Sequence, residues 1–383
     1  MVELPYVRTP YPLDLAGRSI SVIEPPTRPP PSPHDGLVAA ALDGPIGSAR
    51  IEECVRAGAR LTVIVSDATR NEPRAAFLRA IRARLPSVRW TVAIATGTHG
   101  PAHLADLGLP ANLLAGATVV NHDGHRPDDL VELGVTSRKT PVRLHRCVVD
   151  ADLVIATGCI RPHYFAGFGA GVKAIFPGLG EAHAIRTNHT LKSLPGARAG
   201  IVDGNPCRED LAEAVRLLVT PTFLVNWVCA PDGGIHAVVA GGLDAAFRVG
   251  AALARSWFTV SAPRAPIVIA SDALPVTATL YQAAKIAAAT ADLVEPGGVL
   301  VLVAECADGI GPKVVVNEAI FRIGVLPRLA AGVSLKLVSS LSPSDVGCTL
   351  LEYAASVGAA IRGIPGSVVV VPRASQLLCE VSS

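Results

Sequence analysis

The stretch LTVIVSDATRNEPRAAFLRAIRARLPSVRWTVAIATGTH, residues 61–99, contains two apolar segments separated by a helical pattern. The segments Leu61–Val65 and Trp90–Ala95 are rich in Val and Ile, as buried strands are. Between them, Pro73–Leu85 carries apolar residues at helical spacing. A strand, a helix and a second strand in this order predict a βαβ unit and a parallel sheet.

The same alternation continues along the rest of the chain. A strand at Leu153–Ala156 and a helix at Cys207–Leu218 extend the first domain, and a new strand begins at Ile267. The second domain then alternates strands with helices, the last of which is predicted at Cys348–Val357. The fold class predicted is therefore α/β, with two α/β domains at residues 1–262 and 263–383, a parallel sheet in the N-terminal domain and a cleft between the two. A short strand, Ser19–Glu24, precedes a polyproline-like connection, PPTRPPPSP, at residues 25–33.

Composition excludes several classes of function. The net charge of +2 comes without a basic stripe, so we expect no nucleic acid partner. No uncharged apolar run reaches the roughly 18 residues that span a bilayer, so we expect no membrane segment. The N-terminus lacks a secretory signal, which favours the cytoplasm. The eight cysteines form no CxxC pair and are expected to be reduced thiols.

Polar sequences follow three of the predicted strands: SDATR at 66–70, TGTH at 96–99 and TGCIRPH at 157–163. Ligands of open parallel sheets bind beyond the carboxyl ends of the strands, so these tips should meet at one crevice. Arg70 can grip a carboxylate there, although a surface ion pair with Glu72 is the alternative. His99 and His163 would supply two acid/base groups; their alternatives are a helix cap and a packed loop residue.

A glycine-rich segment, GFGAGVK, leads to Lys173, and a second histidine, His189, follows sixteen residues later. The glycines favour a phosphate cradle of backbone amides, while an ordinary surface lysine is the alternative reading of Lys173. In the second domain, Gln282 and Lys285 are three residues apart on one predicted helix. They either face the cleft or form part of a solvent-facing stripe.

These motifs resemble those of the nickel-dependent lactate racemases and their 2-hydroxyacid racemase and epimerase relatives. The likeness rests on widely separated segments in the family's order and spacing. They are LDGPIGS at 42–48, SDATRNEP at 66–73, ATGTH at 95–99, PHYFAGFGAGVKAIFPG at 162–178, the NH pair at 188–189, DGNP at 203–206 and LYQAAK at 280–285.

The resemblance implies a cofactor, the nickel-pincer nucleotide, which is a pyridinium mononucleotide that binds nickel through two sulfurs and a ring carbon. It implies that Lys173 carries the cofactor through a thioamide and that His189 is the remaining nickel ligand. Four further residues would help to seat the nucleotide in the N-terminal domain: Asp67, Thr69, Gly169 and Gly171. Three would bind the substrate: Arg70, Gln282 and Lys285.

The reaction implied is inversion at C2 of a small 2-hydroxyacid by proton-coupled hydride transfer. One of His99 and His163 takes the hydroxyl proton while the Cα hydride moves to the cofactor, and the planar 2-oxoacid can accept the hydride on either face. Cofactor-synthesis enzymes are the further partners implied. The sequence leaves the oligomeric state open, a homo-oligomer included.

Two positions depart from the family's pattern. Ala170 stands where many relatives have glycine, and Gly100 follows His99 where the lactate enzymes commonly have arginine. The second departure predicts a substrate that is bulkier than lactate or lacks a group the arginine would meet.

The sequence leaves two other functions open. One is a zinc-dependent hydrolase that uses His99, His163 and His189 as ligands, although no HExxH motif supports it. The other is a non-catalytic cofactor-binding homologue, in which His99 and His163 would be dispensable.

Overall fold

The computed structural model describes residues 2–6, 9–26, 32–70 and 72–382. The centre of the predicted polyproline connection, residues 27–31, lies outside the described residues. The chain divides into two compact units, Arg28–Ser256 and a smaller one made of Met1–Thr27 with Trp257–Ser383. We call these the larger and the smaller unit.

The strands, in chain order, are β1 (Val2–Leu4), β2 (Tyr11–Leu13), β3 (Ile20–Val22), β4 (Arg60–Ser66), β5 (Arg89–Ala95), β6 (Thr118–Asn121), β7 (Leu130–Val135), β8 (Pro141–His145), β9 (Leu153–Ile160), β10 (Pro162–His163), β11 (Gly167–Phe168), β12 (Thr222–Cys229), β13 (Ile235–Gly241), β14 (Thr259–Ala262), β15 (Ala265–Ala270), β16 (Val294–Val303), β17 (Ser334–Val338), β18 (Glu352–Tyr353), β19 (Val368–Val371) and β20 (Leu378–Val381).

The α-helices are α1 (His34–Asp43), α2 (Arg74–Arg84), α3 (Ala111–Leu114), α4 (Arg146–Val149), α5 (Ala182–Thr190), α6 (Pro206–Arg216), α7 (Leu243–Phe258), α8 (Leu280–Thr290), α9 (Pro343–Gly347) and α10 (Val357–Ala360). A π-helix spans Val315–Val325. Single 3-10 turns are Ile51–Glu53, Leu104–Leu107, Pro127–Asp129, Gly171–Ala174, Leu191–Ser193, Ala291–Leu293, Leu326–Arg328 and Ala374–Gln376.

The larger unit is built on a six-stranded sheet in the order β13-β12-β9-β4-β5-β6. Every neighbouring pair in it is parallel except β12 with β13. Strand β4 lies at the centre, and its residues 61–65 are all buried because the sheet is covered on both faces. Helix α2 packs on it through Phe77, Leu78 and Ile81, which are fully buried. The predicted α/β class with a parallel sheet is therefore confirmed.

The smaller unit has its own sheet, with the order β18-β17-β16-β15-β19-β3 and all pairs parallel. Strand β3 belongs to this sheet because Ile20–Val22 pairs with β19. Residues 1–262 are predicted as a first domain, whereas the compact units put the first 27 residues with the C-terminal part of the chain. A pairing across more than 340 residues of sequence leaves no local signal.

Two other expectations are wrong. The helix predicted at Cys348–Val357 is replaced by strand β18 between the short helices α9 and α10. The cysteines are not all reduced, because Cys159 and Cys229 form a disulfide between the neighbouring strands β9 and β12. These two residues are 70 apart in sequence, and only the sheet brings their Cα atoms to 6.4 Å.

Within the described residues, no helix combines the length and the apolar character needed to cross a bilayer.

Candidate active site

Three strand tips of the larger unit lie at one edge of its sheet. Strand β4 has β5 on one side and β9 on the other, and all three run in the same direction. Ser66 at the end of β4 pairs directly with Ala95 at the end of β5. The predicted convergence of SDATR, TGTH and TGCIRPH at one edge is thus confirmed.

Asp67 and His99 are joined by a hydrogen bond at this edge. The His99 Nδ1 and Asp67 Oδ2 atoms are 2.7 Å apart. The other carboxylate oxygen of Asp67 accepts from the backbone amide of Thr69, at 3.0 Å, and from its hydroxyl. Burial alone would raise the pKa of Asp67, but the hydrogen bonds from His99 and Thr69 and the charge of Arg70 outweigh it and lower the pKa. Because Asp67 is ionised, Nδ1 of His99 holds the ring hydrogen and Nε2 is the basic nitrogen.

Arg70 follows on the same loop and is exposed. The surface ion pair with Glu72 that was its alternative is not formed, because the Glu72 side chain is fully buried and its ion-pair partner is Arg74, at 3.9 Å. Burial raises the pKa of Glu72.

His163 is held in a tight hairpin, where Pro162 and His163 pair with Gly167 and Phe168. Its Nδ1 accepts a hydrogen bond from the backbone amide of Ala166 at 3.3 Å. A neutral His163 ring therefore carries its hydrogen on Nε2. The two neutral rings are therefore opposite tautomers. Nε2 is the basic nitrogen in His99 and carries the hydrogen in His163.

Phe165 joins three of the predicted site residues. Its ring centroid is 4.6 Å from that of His163, 5.0 Å from that of His189 and 5.7 Å from the Lys173 ammonium nitrogen. Phe165 itself is 4% exposed. Sequence reasoning missed this residue, because an aromatic side chain in an apolar loop gives no signal of what it packs against.

Lys173 and His189 are partly buried side chains with strongly shifted pKa values. Burial, assisted by the charges of Arg208 and Arg70, lowers the pKa of Lys173 to about 7. Burial and the charges of Lys173 and Lys192 lower the pKa of His189 to about 3. The surface-lysine alternative for Lys173 is therefore wrong. A neutral imidazole is the form that binds metals, and an amine with a pKa near neutrality can react as a nucleophile.

Two amides of the glycine loop before Lys173 are not available to the predicted phosphate cradle. The Gly169 amide donates to the carbonyl of Arg161, at 2.9 Å, and the Gly171 amide donates to Oδ1 of Asn226, at 3.0 Å. Both donors are thus engaged within the protein. Gly171 is required for space, since a Cβ there would come within 2.7 Å of the Arg208 guanidinium and within 2.6 Å of the Phe247 ring.

Arg208 is a second residue that sequence reasoning missed. Its guanidinium is 5% exposed, lies 3.6 Å over the Phe247 ring and donates to the carbonyls of Phe168 and Ala170. Burial lowers its pKa to about 9. A buried charge on an amphipathic helix, two residues after the DGNP motif, was the signal that could have found it.

Asn188, the first residue of the NH pair, has a structural role. Asn188 donates from Nδ2 to Oδ2 of Asp210, at 2.8 Å, and to the carbonyl of Cys207. Asp210 is fully buried and also accepts from the hydroxyls of Thr136 and Thr140. Asn188 thereby fixes helix α5 to helix α6, and His189 is the next residue on α5.

In the smaller unit, Lys285 donates from Nζ to Oε1 of Gln282. Both side chains lie on one face of α8, as their spacing predicted. Their role at the substrate stays a prediction.

The zinc-hydrolase alternative needs three close ligands. Among the residues that the structure describes, no group of three or more His, Cys, Asp and Glu side chains is placed to hold a metal ion. The three histidines therefore do not form a zinc site.

Comparison with known proteins agrees with this geometry. The family model for the lactate racemase N-terminal domain matches residues 6–200. The lactate racemase of Thermoanaerobacterium thermosaccharolyticum is 31% identical over 73% of this chain and 67% of its own length. That of Lactiplantibacillus plantarum is 30% identical over 72% and 66%.

Solved structures agree on the fold. The lactate racemase apoprotein from T. thermosaccharolyticum superposes with a TM-score of 0.85 at 25% identity, over 99% of both chains. A Thermotoga maritima protein superposes with a TM-score of 0.68 at 15% identity, over 91% of this chain and 98% of its own, which supports the fold alone. The predicted kinship is confirmed: the chain belongs to the lactate racemase family and is an isomerase.

Proposed function

We propose that this protein is a racemase or epimerase of small 2-hydroxyacids that inverts C2 by proton-coupled hydride transfer with a nickel-pincer nucleotide. The observation that carries the proposal is the opposite proton state of its two histidines. His99 has its basic nitrogen at Nε2 because Nδ1 is bound to Asp67, while His163 carries its hydrogen at Nε2 because Nδ1 accepts from Ala166.

A racemase needs two acid/base groups, because the two enantiomers present their hydroxyls on different sides. In one direction neutral His99 takes the hydroxyl proton of the substrate at Nε2, and His163 in its imidazolium form returns a proton from Nε2 to the oxygen when the product forms, so that the turnover leaves His99 protonated and His163 neutral. In the other direction the roles are exchanged. Asp67 orients His99 and stabilises its protonated form. We therefore assign Asp67 a role in positioning His99 as an acid/base group.

The residues of the larger unit fit the cofactor. Lys173 would hold it covalently, since its amine is partly neutral near pH 7, and His189 would ligate nickel as a neutral imidazole. Both contact the Phe165 ring, which keeps tether and ligand near each other. When bound, the cofactor would supply the acceptor for the Cα hydride. Thr69, Gly169 and Gly171 would line the nucleotide's seat through their packing.

Arg70, with Gln282 and Lys285 of the smaller unit, would bind the substrate carboxylate and neighbouring oxygens. The space beside His99 favours a substrate larger than lactate. Gly100 has a φ of 77°, and a Cβ built on it would meet nothing within 4 Å.

We also propose that the protein works in the cytoplasm beside the enzymes that synthesise its cofactor. Expression with and without those enzymes tests both their role as partners and the attachment of the cofactor to Lys173. Intact-protein mass should reveal an adduct on Lys173, with one nickel, only when they are present. An unmodified Lys173 in an active enzyme would overturn the assignment.

The reaction is tested with pure enantiomers of lactate, malate and longer or aromatic 2-hydroxyacids, with the product resolved by chiral chromatography. In deuterated water, hydride transfer leaves the C2 hydrogen in the product, whereas proton abstraction would replace it with deuterium. His99→Gln and His163→Gln should each lower kcat by on the order of 100-fold or more, without loss of the adduct. Full activity in either variant would refute the two-histidine mechanism, and activity on lactate alone would refute the expectation of a larger substrate.

A further inference from the structure

Arg74 is a buried arginine that lies outside every motif assigned so far. It begins helix α2, and its side chain is 5% exposed. A guanidinium has five N–H donors in a fixed planar fork. In this protein all five are used on backbone carbonyls.

Four of those carbonyls belong to the last residue of strand β4 and the loop that follows it. Nε donates to Ser66, at 2.7 Å, Nη2 donates to both Asp67 and Arg70, and Nη1 reaches Glu72 at 3.4 Å. One planar group thus fixes the path of the backbone through the SDATR segment.

The fifth carbonyl belongs to a different loop. Nη1 also donates to Leu107, at 3.3 Å, at the end of the 3-10 turn that follows the tip of strand β5. This second loop begins with the segment that carries His99. The side chain of Arg74 therefore ties the two loops that carry Asp67 and His99 to a single point.

We propose that Arg74 is a positioning residue that sets the placement of the His99–Asp67 pair and of Arg70 for the reaction. The inference rests on the proposed function for the roles of those three residues, while the tie between the loops is independent of it. Arg74 touches neither substrate nor cofactor in this scheme.

The nearby Glu72 supports a role that depends on geometry more than on charge. Its buried carboxylate is 3.9 Å from Nε of Arg74, which is beyond hydrogen-bond distance. The guanidinium directs its hydrogens to five carbonyls instead. A lysine at this position has three donors on a single nitrogen and cannot reach two loops in one plane.

The first experiment compares Arg74→Lys and Arg74→Ala with Arg79→Lys as the matched control. Arg79 is on the same helix, is half exposed and pairs with Asp35, away from both loops. Activity is expressed per molecule that carries the cofactor adduct. Because a misplacement of about 1 Å can cost on the order of 100-fold, we expect kcat/KM to fall by that order in Arg74→Lys and to be unchanged in Arg79→Lys.

The loss should divide between the two constants and alter the pH profile. Displacing Arg70 raises KM, whereas displacing Asp67 from His99 lowers kcat and shifts the pH dependence of kcat. Guanidinium chloride should partly restore kcat in Arg74→Ala, and sodium chloride at the same concentration should not. An Arg74→Lys enzyme with wild-type kcat, KM and pH profile would overturn the proposal.

Hydrogen exchange separates this inference from the proposed function, because it requires no activity. In protein free of cofactor, exchange should accelerate in both loops, residues 66–72 and 104–107, in Arg74→Lys and in neither in Arg79→Lys. If the wild type racemises no 2-hydroxyacid, the proposed function fails while the exchange result still decides the tie. Should neither Arg74 variant fold, native-state exchange of the wild type decides: the amides of Thr69, Arg70 and Asp106 must open with one common free energy, and independent opening refutes the tie.

Discussion

Replacing Lys173 by methionine should make the cofactor-free protein more stable at neutral pH. Lys173 is partly exposed, and desolvation, with the charges of Arg208 and Arg70, lowers its pKa from 10.5 to about 7. No carboxylate is among the groups that influence its pKa. Methionine has a similar length and no charge to desolvate, so it should fill the same space.

The magnitude follows from linkage between protonation and folding. Each unit of pKa difference between the folded and unfolded states corresponds to about 1.4 kcal/mol, so Lys173 costs the folded state up to about 5 kcal/mol. The unfolded chain holds the proton more tightly, and stability therefore rises with pH between about 7 and 10.5. The penalty is complete below pH 7 and disappears above pH 10.5.

Urea unfolding of the apoprotein at several pH values measures this directly. Tryptophan fluorescence is the probe, because Trp90 and Trp227 lie in the core of the larger unit. Lys173→Met should exceed the wild type by several kcal/mol at pH 6.5 and by much less at pH 10. The exposed Lys313, changed to methionine, is the control and should leave the free energy of unfolding unchanged at both values. Equal stability of Lys173→Met and wild type at pH 6.5 would show that the amine is not desolvated.

Four further outcomes follow from single contacts. Ala170 has φ 61° and ψ −160°, a conformation that suits glycine. Ala170→Gly should therefore raise the free energy of unfolding, measured by urea titration, by about 1 kcal/mol. Asp67→Asn should be less stable than wild type at pH 7 by on the order of 1 kcal/mol; because the pKa of Asp67 is lowered, the difference should disappear as pH falls through that lowered value, which acid titration of unfolding measures. Asp210 is a buried carboxylate that accepts hydrogen bonds from three side chains. Asp210→Asn should therefore lower the free energy of unfolding by about 2–4 kcal/mol in a urea titration and should also lower the nickel content of the holoprotein. Thiol titration of the denatured, unreduced protein should count two fewer thiols than after reduction, and equal counts would contradict the Cys159–Cys229 disulfide.

The sequence predicts those parts of this fold that depend on local pattern. Strand β4 appears as an uninterrupted apolar run because parallel strands are buried on both faces, and its end is marked by the abrupt change at Ser66. The same reasoning brought Arg70, His99 and His163 to one edge of the sheet. The predicted helix at 348–357 failed because that stretch contains only the two-residue strand β18 and the first residue of α10, which are too short for periodicity to identify.

What the sequence could not predict are contacts between distant segments. The disulfide, the fixation of Asn188 by Asp210 and the use of Gly171's amide by Asn226 all join residues separated by 22 positions or more. A glycine in a loop can have two roles: its amide can donate a hydrogen bond to a ligand, or its missing side chain can leave room for a neighbouring residue. At Gly171 the positions of Arg208 and Phe247 show that the glycine leaves space for neighbours.

Positive charge is concentrated around Lys173 in the larger unit. Lys173 is influenced by Arg208 and Arg70, and burial penalises the charges on both Lys173 and Arg208. A folded protein retains such a concentration of positive charge at a cost in stability, which is typical of a site shaped for a ligand. The nucleotide and the 2-hydroxyacid that we propose as ligands are both anions. Binding either one would offset a repulsion that the apoprotein relieves only by releasing the Lys173 proton, and a thioamide on Lys173 would remove the charge that burial penalises.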